Sequence, residues 1–468
     1  MGTTSNPRSF QEAIKQPGLT GIARGKELLQ ELHGQDASSQ LFKMKSVFAF
    51  STLLALASAA AVPERQVRPA VTAYDGYKVF RVAVKNQVNK VSKIIEQLEL
   101  ETWKAPKAPG ALADIVVPPS KVAEFEAAVA GMEVTTMHED LAASIEEESN
   151  FSAYAVGSAN ATWFNSYHSY NDHLQFLRDL QATYPTRSAI VTSGNSNEGR
   201  PITGIHFWGS SGKGKKPAVI FHSTVHAREW ITTMVNEYLA FNLLTKYDTD
   251  AEIKSFVDKY DFYVFPVVNP DGFVFTQTNT RLWRKNRQSN TGSTCIGRDI
   301  NRNWNFQWSV TGGASTNPCA EDYKGRAASD APETTNLANF IRSVKSSQGL
   351  KLFIDWHAYS QLFMTPYGYS CTARAAKHTE LVSLAAGAAS AIQAVYGTRF
   401  TSGPICSTIY KATGSSVDWA NDVGGSEYTF TAELRDTGAN GFVLPASQIV
   451  PSGVETWAGL RYLLLNMK

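Results

Sequence analysis

The 468 residues of this chain carry a formal charge of +2 and are 43% hydrophobic and 18% charged, an ordinary globular composition with room for more than one domain. So small a net charge gives no electrostatic case for nucleic acid or an anionic membrane as partner. Four cysteines, none in a Cys-x-x-Cys pair, are too few for a disulfide-stapled scaffold.

Residues 1–43 are polar and carry no readable motif. Lys43-Met44-Lys45 then precedes a mostly apolar run, 47–62, containing Ser58-Ala59-Ala60-Ala61 near its end. A basic start, a short apolar middle and small closing residues describe a secretory signal peptide, here 44–61. The run is short against the roughly 20 apolar residues of a membrane span; retained, it would anchor the protein instead. Signals stand at the N-terminus, so Met44 is expected to be the working start and 1–43 an unexplained extension. The expectation is a secreted, extracellular protein with no stable membrane association.

Residues 77–138 read as a small α+β domain. Positions 77–84 are strand-like, and Val88, Val91, Ile95 and Leu98 mark one helical face. A Pro- and Lys-rich loop, 104–110, leads to a strand at 115–117 stopped by Pro118-Pro119. Val122, Phe125 and Val129 mark a second helix and 134–137 a last strand. That order is a split βαβ layout, without a catalytic constellation. Residues 139–165 are acidic and then small and polar, and read as a linker with two glycosylation sequons, Asn150-Phe151-Ser152 and Asn160-Ala161-Thr162. Between Lys121 and Arg178 there is no Lys or Arg.

The remainder alternates strand-like runs (189–191, 205–207, 217–221, 262–268, 352–354, 428–434) with helical patterns (173–183, 233–246, 333–344, 379–396, 454–466). This predicts an α/β domain with a mixed, mostly parallel central sheet flanked by helices. Reactive groups in such folds gather at strand ends, and candidates do stand there. His226-Ala227-Arg228-Glu229-Trp230 follows the strand at 217–221 and opens a helix. Its His and Glu suit zinc, but that spacing alone suits a cap or a polar surface pair equally well. Asn269-Pro270-Asp271-Gly272, a turn signal, follows the strand at 262–268, and Asp355-Trp356-His357 follows 352–354. Glu433 lies inside an apolar run, where a carboxylate needs a partner or an altered pKa.

Together with Arg281-Leu282-Trp283-Arg284-Lys285, Asn301-Arg302-Asn303-Trp304, Ile409-Tyr410 and Glu433-Leu434-Arg435-Asp436-Thr437-Gly438, these motifs resemble the zinc metallocarboxypeptidases of the pancreatic carboxypeptidase A/B type. The likeness covers residue 163 to the C-terminus. It implies that His226, Glu229 and His357 hold one Zn²⁺. Glu433 would be general base to a zinc-bound water and then proton donor to the leaving amine. Arg284 would stabilise the oxyanion. Asn301, Arg302 and Tyr410 would grip the substrate's terminal carboxylate, a task suited to guanidinium. Asp299 would orient the first zinc histidine. Arg228, Tyr359 and Phe442 would line outer subsites, and Arg281 the path along which the carboxylate arrives.

In this family an aspartate in the side-chain pocket selects Lys or Arg ends. The matching residue here is Val417, beside Met364, Ile405, Ala412, Ser415 and Thr431, so apolar or aromatic C-terminal residues are expected. The resemblance also implies disulfides Cys295–Cys319 and Cys371–Cys406, and a zymogen. The expected plan is a prodomain at 62–138, an activation linker at 139–162 and a catalytic domain at 163–468. The partners would be peptide or protein C-termini and an activating protease that needs no basic residue, with the enzyme a monomer. The reading from another class is an inactive carboxypeptidase-like binding protein; such proteins typically lose zinc ligands or the base, and this chain keeps them all.

Overall fold

A run that is apolar on both sides of a strand must be covered on both faces, and the first sheet follows that rule. The computed structural model describes residues 71–157 and 159–468; the signal segment 44–61 and the extension 1–43 lie outside the described residues. Strands β1 (Lys78–Ala83), β2 (Glu101–Lys104), β3 (Leu112–Val117) and β4 (Val134–His138) pair antiparallel in the order β2-β3-β1-β4. Helices α1 (Val88–Gln97) and α2 (Val122–Ala128) connect them. Phe80, Val82, Ile115 and Val117 pack with Val91, Ile94 and Phe125 on the helical side. Val79, Trp103 and Val116, from the opposite face, belong to the core of the larger domain. This is the split βαβ arrangement, with β2 added where a loop was expected to begin. Four residues with Glu and Lys at the ends leave too little pattern to read as a strand.

The acidic stretch after it is partly ordered. Residues Leu141–Glu148 form α3. Asp140 caps it, accepting the Ala143 N–H at 3.1 Å, and Leu141, Ala142, Ile145 and Glu148 are buried along one face. The expected linker is therefore a helix in its first half. Counting its charges hid an i, i+1, i+4, i+7 spacing.

The larger sheet has eight strands in the order β11-β10-β12-β9-β7-β8-β6-β5. They are β5 (Ser188–Asn195), β6 (Pro201–Phe207), β7 (Ala218–Ser223), β8 (Asp261–Phe265), β9 (Leu350–Ala358), β10 (Leu362–Thr365), β11 (Thr401–Pro404) and β12 (Tyr428–Leu434). The centre, β12-β9-β7-β8, is parallel, while β5, β6 and the β10–β12 pair run antiparallel. Helices α4 (Tyr170–Thr183), α5 (Trp230–Thr245), α6 (Ala251–Lys259), α7 (Pro270–Thr278), α8 (Pro332–Gln348), α9 (His378–Tyr396), α10 (Ile405–Thr408), α11 (Ser416–Asp422) and α12 (Ile449–Asn466) complete it. Phe176, Leu239, Leu384 and Leu460 place α4, α5, α9 and α12 on one face; Leu337, Ile341 and Trp419 place α8 and α11 on the other. Every residue of β7 and β8 is buried, as a sheet covered on both sides requires.

The turn expected at Asn269-Pro270-Asp271-Gly272 is the start of α7. Asn269 accepts the Gly272 N–H at 3.1 Å and Pro270 occupies the first helical position. A side chain at Gly272 would meet Asn269 and the Lys285 carbonyl at 2.7 Å, so the cap admits only glycine there. Both expected disulfides are present, Cys295–Cys319 and Cys371–Cys406. Among the described residues no helix is long and apolar enough to cross a membrane.

Candidate active site

The site is built where the parallel strands end. After β7 the chain turns at Thr224, whose φ of +55° lies in the left-handed region; its hydroxyl donates to the Pro266 carbonyl at 2.8 Å and so ties the turn to the end of β8. The turn delivers His226, and Glu229 stands immediately before α5. His357 is the second-last residue of β9, and Glu433 is its register partner on β12.

His226 Nδ1 lies 2.7 Å from Glu229 Oε1, and His357 Nδ1 lies 3.1 Å from Glu229 Oε2. The two Nδ1 atoms are 3.1 Å apart, and one ligand atom from each residue falls within 4.8 Å of the others. Two imidazole nitrogens and a buried carboxylate converging on one point form the donor set of zinc. The opposite ring nitrogens support this assignment. His226 Nε2 faces Asp299 Oδ1 at 3.1 Å and His357 Nε2 faces Asp355 Oδ2 at 3.2 Å. A carboxylate beside each Nε2 favours an N–H there and leaves the Nδ1 lone pair for a cation; Asn301 Nδ2 also stands 3.2 Å from His357 Nε2.

Asp299 is wholly buried and does more than orient His226: its Oδ2 accepts from Arg284 Nη2 at 2.8 Å, and Arg302 Nη1 stands 4.0 Å away. Burial alone would raise this carboxyl, but Arg284, His226 and Arg302 outweigh it and hold it well below the usual range. Burial would likewise raise Glu229, and His226 and His357 hold it low. Glu433 is pushed up to about 8, first by burial and then by the charge of Glu229.

His226, Arg228, Glu229, Arg284, Arg302, Tyr359, Tyr410, Glu433 and Phe442 line one cavity of about 380 Å³. His226, Asn301, Arg302, His357, Met364, Ile405, Tyr410, Val417 and Glu433 line an adjoining cleft of about 40 Å³. The expected site residues thus come together around these two spaces. Asp418, next to Val417, accepts from the Gly368 and Tyr369 N–H groups and does not line the cleft. Asp355 was missed by the sequence reading. An acid two residues before a histidine in a strand shares its face, and that spacing was the available signal.

The small domain closes the larger cavity. Thr102, Trp103, Lys104, Lys107 and Ala111 form its other wall. Lys107 Nζ sits 3.9 Å above the Tyr410 ring. Tyr359 donates its hydroxyl to Asp114, which also holds Arg81 through two bonds of 2.6 Å. Trp103 meets Phe442 edge to face at 5.6 Å, and His138 Nε2 bonds the Asn440 carbonyl at 2.8 Å. Arg281, expected on the route of the incoming carboxylate, is wholly buried and already paired with the carboxylate of Glu148, at 2.6 and 2.8 Å.

The comparisons with known proteins agree with this geometry. Residues 173–459 match the family described as zinc carboxypeptidase, and residues 80–148 match the carboxypeptidase activation peptide. The chain is 53% identical to a metallocarboxypeptidase A of Arthroderma otae over 427 residues, 90% of this chain and 99% of that one. It is 38% identical to carboxypeptidase A4 of Mus musculus over 401 residues, covering 84% and 94%. The crystal structure of thrombin-activatable fibrinolysis inhibitor superposes with a TM-score of 0.77 at 28% identity, over 83% of this chain and 98% of that one. A carboxypeptidase A from Helicoverpa armigera superposes at 0.72 and 27% identity, over 83% and 97%. With a His-Glu-His metal centre, an activation peptide matched over β1 to α3 and relatives aligned along nearly their whole length, the chain belongs to the zinc carboxypeptidase family and is a metallocarboxypeptidase with its propeptide attached.

Proposed function

We propose that this zymogen, once cut, removes apolar or aromatic residues one at a time from peptide C-termini outside the cell. The observation that carries the reading is a cleft in which Val417, Met364, Ile405 and Ala412 stand together with His226, His357 and Arg302, and in which no aspartate among the described residues joins the wall.

His226, Glu229 and His357 would hold the zinc, which when bound would supply Lewis acidity. Glu433, on the strand beside His357, accepts the proton from the attacking water and returns it to the leaving amine. Arg284 keeps one nitrogen on Asp299 and lines the larger cavity, so its guanidinium is placed to stabilise the oxygen that gains charge. Arg302, Asn301 and Tyr410 grip the terminal carboxylate. Arg302 lines both spaces, and a substrate lacking a free C-terminus would cover its guanidinium without pairing it. That is the physical reason for exopeptidase action. Because Asp299 contacts His226, Arg284 and Arg302, one carboxylate fixes the spacing between metal, oxyanion and terminus.

Activation is read from the linker. Ser152, Ala153, Ala155, Val156 and Gly157 are exposed, and Val156 keeps 72% of its surface in solvent. Phe151 is buried before this stretch, and Trp163 and Phe164 after it. With no Lys or Arg from 122 to 177, the activating protease would accept small or aliphatic residues, cutting between Glu148 and Trp163. Export would use the signal at 44–61.

Kinetics on peptides ending in Phe, Leu, Lys and Arg test the specificity. The reading expects Phe and Leu to be released fastest; faster release of Lys or Arg refutes it.

A further inference from the structure

His222 is the second-last residue of β7, wholly buried, and neither of its ring nitrogens has a hydrogen-bond partner among the described residues. Nothing in the proposed reaction uses it. Its register partner on β9 is Asp355. Phe353, Asp355 and His357 alternate along β9 and so share one face, and the His222 ring meets the Phe353 ring edge-on at 5.0 Å. His222 therefore projects on the same side of the sheet as Asp355 and the metal ligand His357.

Asp355 has one oxygen occupied and one free. Its Oδ2 accepts from Ser416 Oγ at 2.5 Å and lies 3.2 Å from His357 Nε2, while its Oδ1 is buried without a partner among the described residues. Burial lowers the His222 pKa to about 4, and Asp355 is the charged group that acts on it. At neutral pH the ring is thus uncharged, with one N–H to donate and one nitrogen to accept. A buried donor and a buried acceptor on adjacent strands, neither satisfied among the described residues, are the setting in which an internal water is held.

We propose that His222 is a positioning residue of the metal centre: its ring N–H reaches Asp355 Oδ1 through one buried water, and Asp355 in turn fixes the ring of His357. The two metal histidines would then be braced alike, His226 by Asp299 and Arg284, and His357 by Asp355 and His222. The inference rests on the metal role of His357.

The test uses the intact zymogen and its zinc affinity, measured by competition with a chromogenic chelator, for the wild type, His222→Leu and His222→Gln. Wild-type protein that binds no zinc would overturn the family reading itself, and this inference with it. With one zinc per wild-type chain, His222→Leu is expected to weaken binding about 10-fold, the low end of what losing a ligand's own hydrogen-bond partner costs, because His222 acts one step further out. His222→Gln, which keeps an N–H, should recover most of it. A loss below about fivefold, or an equal loss in both variants, overturns the inference, since a packing role would not distinguish leucine from glutamine in this way. A high-resolution crystal structure of the zinc-loaded wild type decides the matter even if the leucine variant fails to fold. Density for a water within about 3.2 Å of both a His222 nitrogen and Asp355 Oδ1 supports the brace, and density without one refutes it.

Discussion

Glu148 is the contact on which latency should turn. It ends α3 and holds Arg281 through bonds of 2.6 and 2.8 Å, with both side chains wholly buried. Arg281 also donates to the carbonyls of Arg228 at 2.8 Å and Phe442 at 2.9 Å, so the pair ties the activation segment to two loops that line the larger cavity. Glu148→Gln keeps the volume and removes the charge. Breaking one side of a buried ion pair costs about 3–5 kcal/mol. The low end applies here, because two carbonyls still satisfy Arg281, and because burial pushes the Glu148 pKa up despite its partner. About 3 kcal/mol corresponds to roughly 150-fold in the balance between closed and open propeptide. The assay is hydrolysis of a peptide ending in Phe by intact, uncut zymogen, referred to the fully activated enzyme. Basal turnover of the variant should exceed that of the wild type by about two orders of magnitude. A basal rate within threefold of wild type, in a variant that unfolds at the same temperature, would refute the reasoning.

Three further outcomes follow from the site. Glu433→Gln should lower kcat by about 10²–10⁴ while one zinc per chain is retained; a kcat within tenfold of wild type removes Glu433 from the role of base. Val417→Asp places a carboxylate in the apolar cleft and should turn preference from Phe and Leu toward Lys and Arg, and an unchanged ranking of the four peptides would place the selecting side chain elsewhere. An elastase-type protease should activate the zymogen and give a mature N-terminus between residues 153 and 159, read by N-terminal sequencing; activation by trypsin through a cut between 149 and 162 would contradict the linker reading.

How much of this was legible in the sequence depended on the kind of signal. The parallel strands were easy, because β7 and β8 are buried on both faces and read as unbroken apolar runs. The shortest strands were not: β2, β10 and β11 have four residues each, too few to establish a period. Asn269-Pro270-Asp271-Gly272 has the composition of a turn, and only the capping bond to Gly272 marks it as a helix start. The metal ligands and arginines were readable as motifs. The parts that connect them were not, because Asp355, Ser416 and His222 act through pairing across strands and loops far apart in the chain. Glu148 was invisible for the same reason: its partner Arg281 lies 133 residues away.

The central claim is a metal-dependent enzyme that reads a free chain end. It is tested most directly by giving the activated protein two peptides that differ only at the C-terminus, a free carboxylate or an amide, each ending in Phe, with and without a zinc chelator. Phe should be released from the free acid alone, the chelator should stop the reaction and added zinc should restore it. Comparable cleavage of the amide, or full activity in the chelator with zinc verified absent, would contradict it.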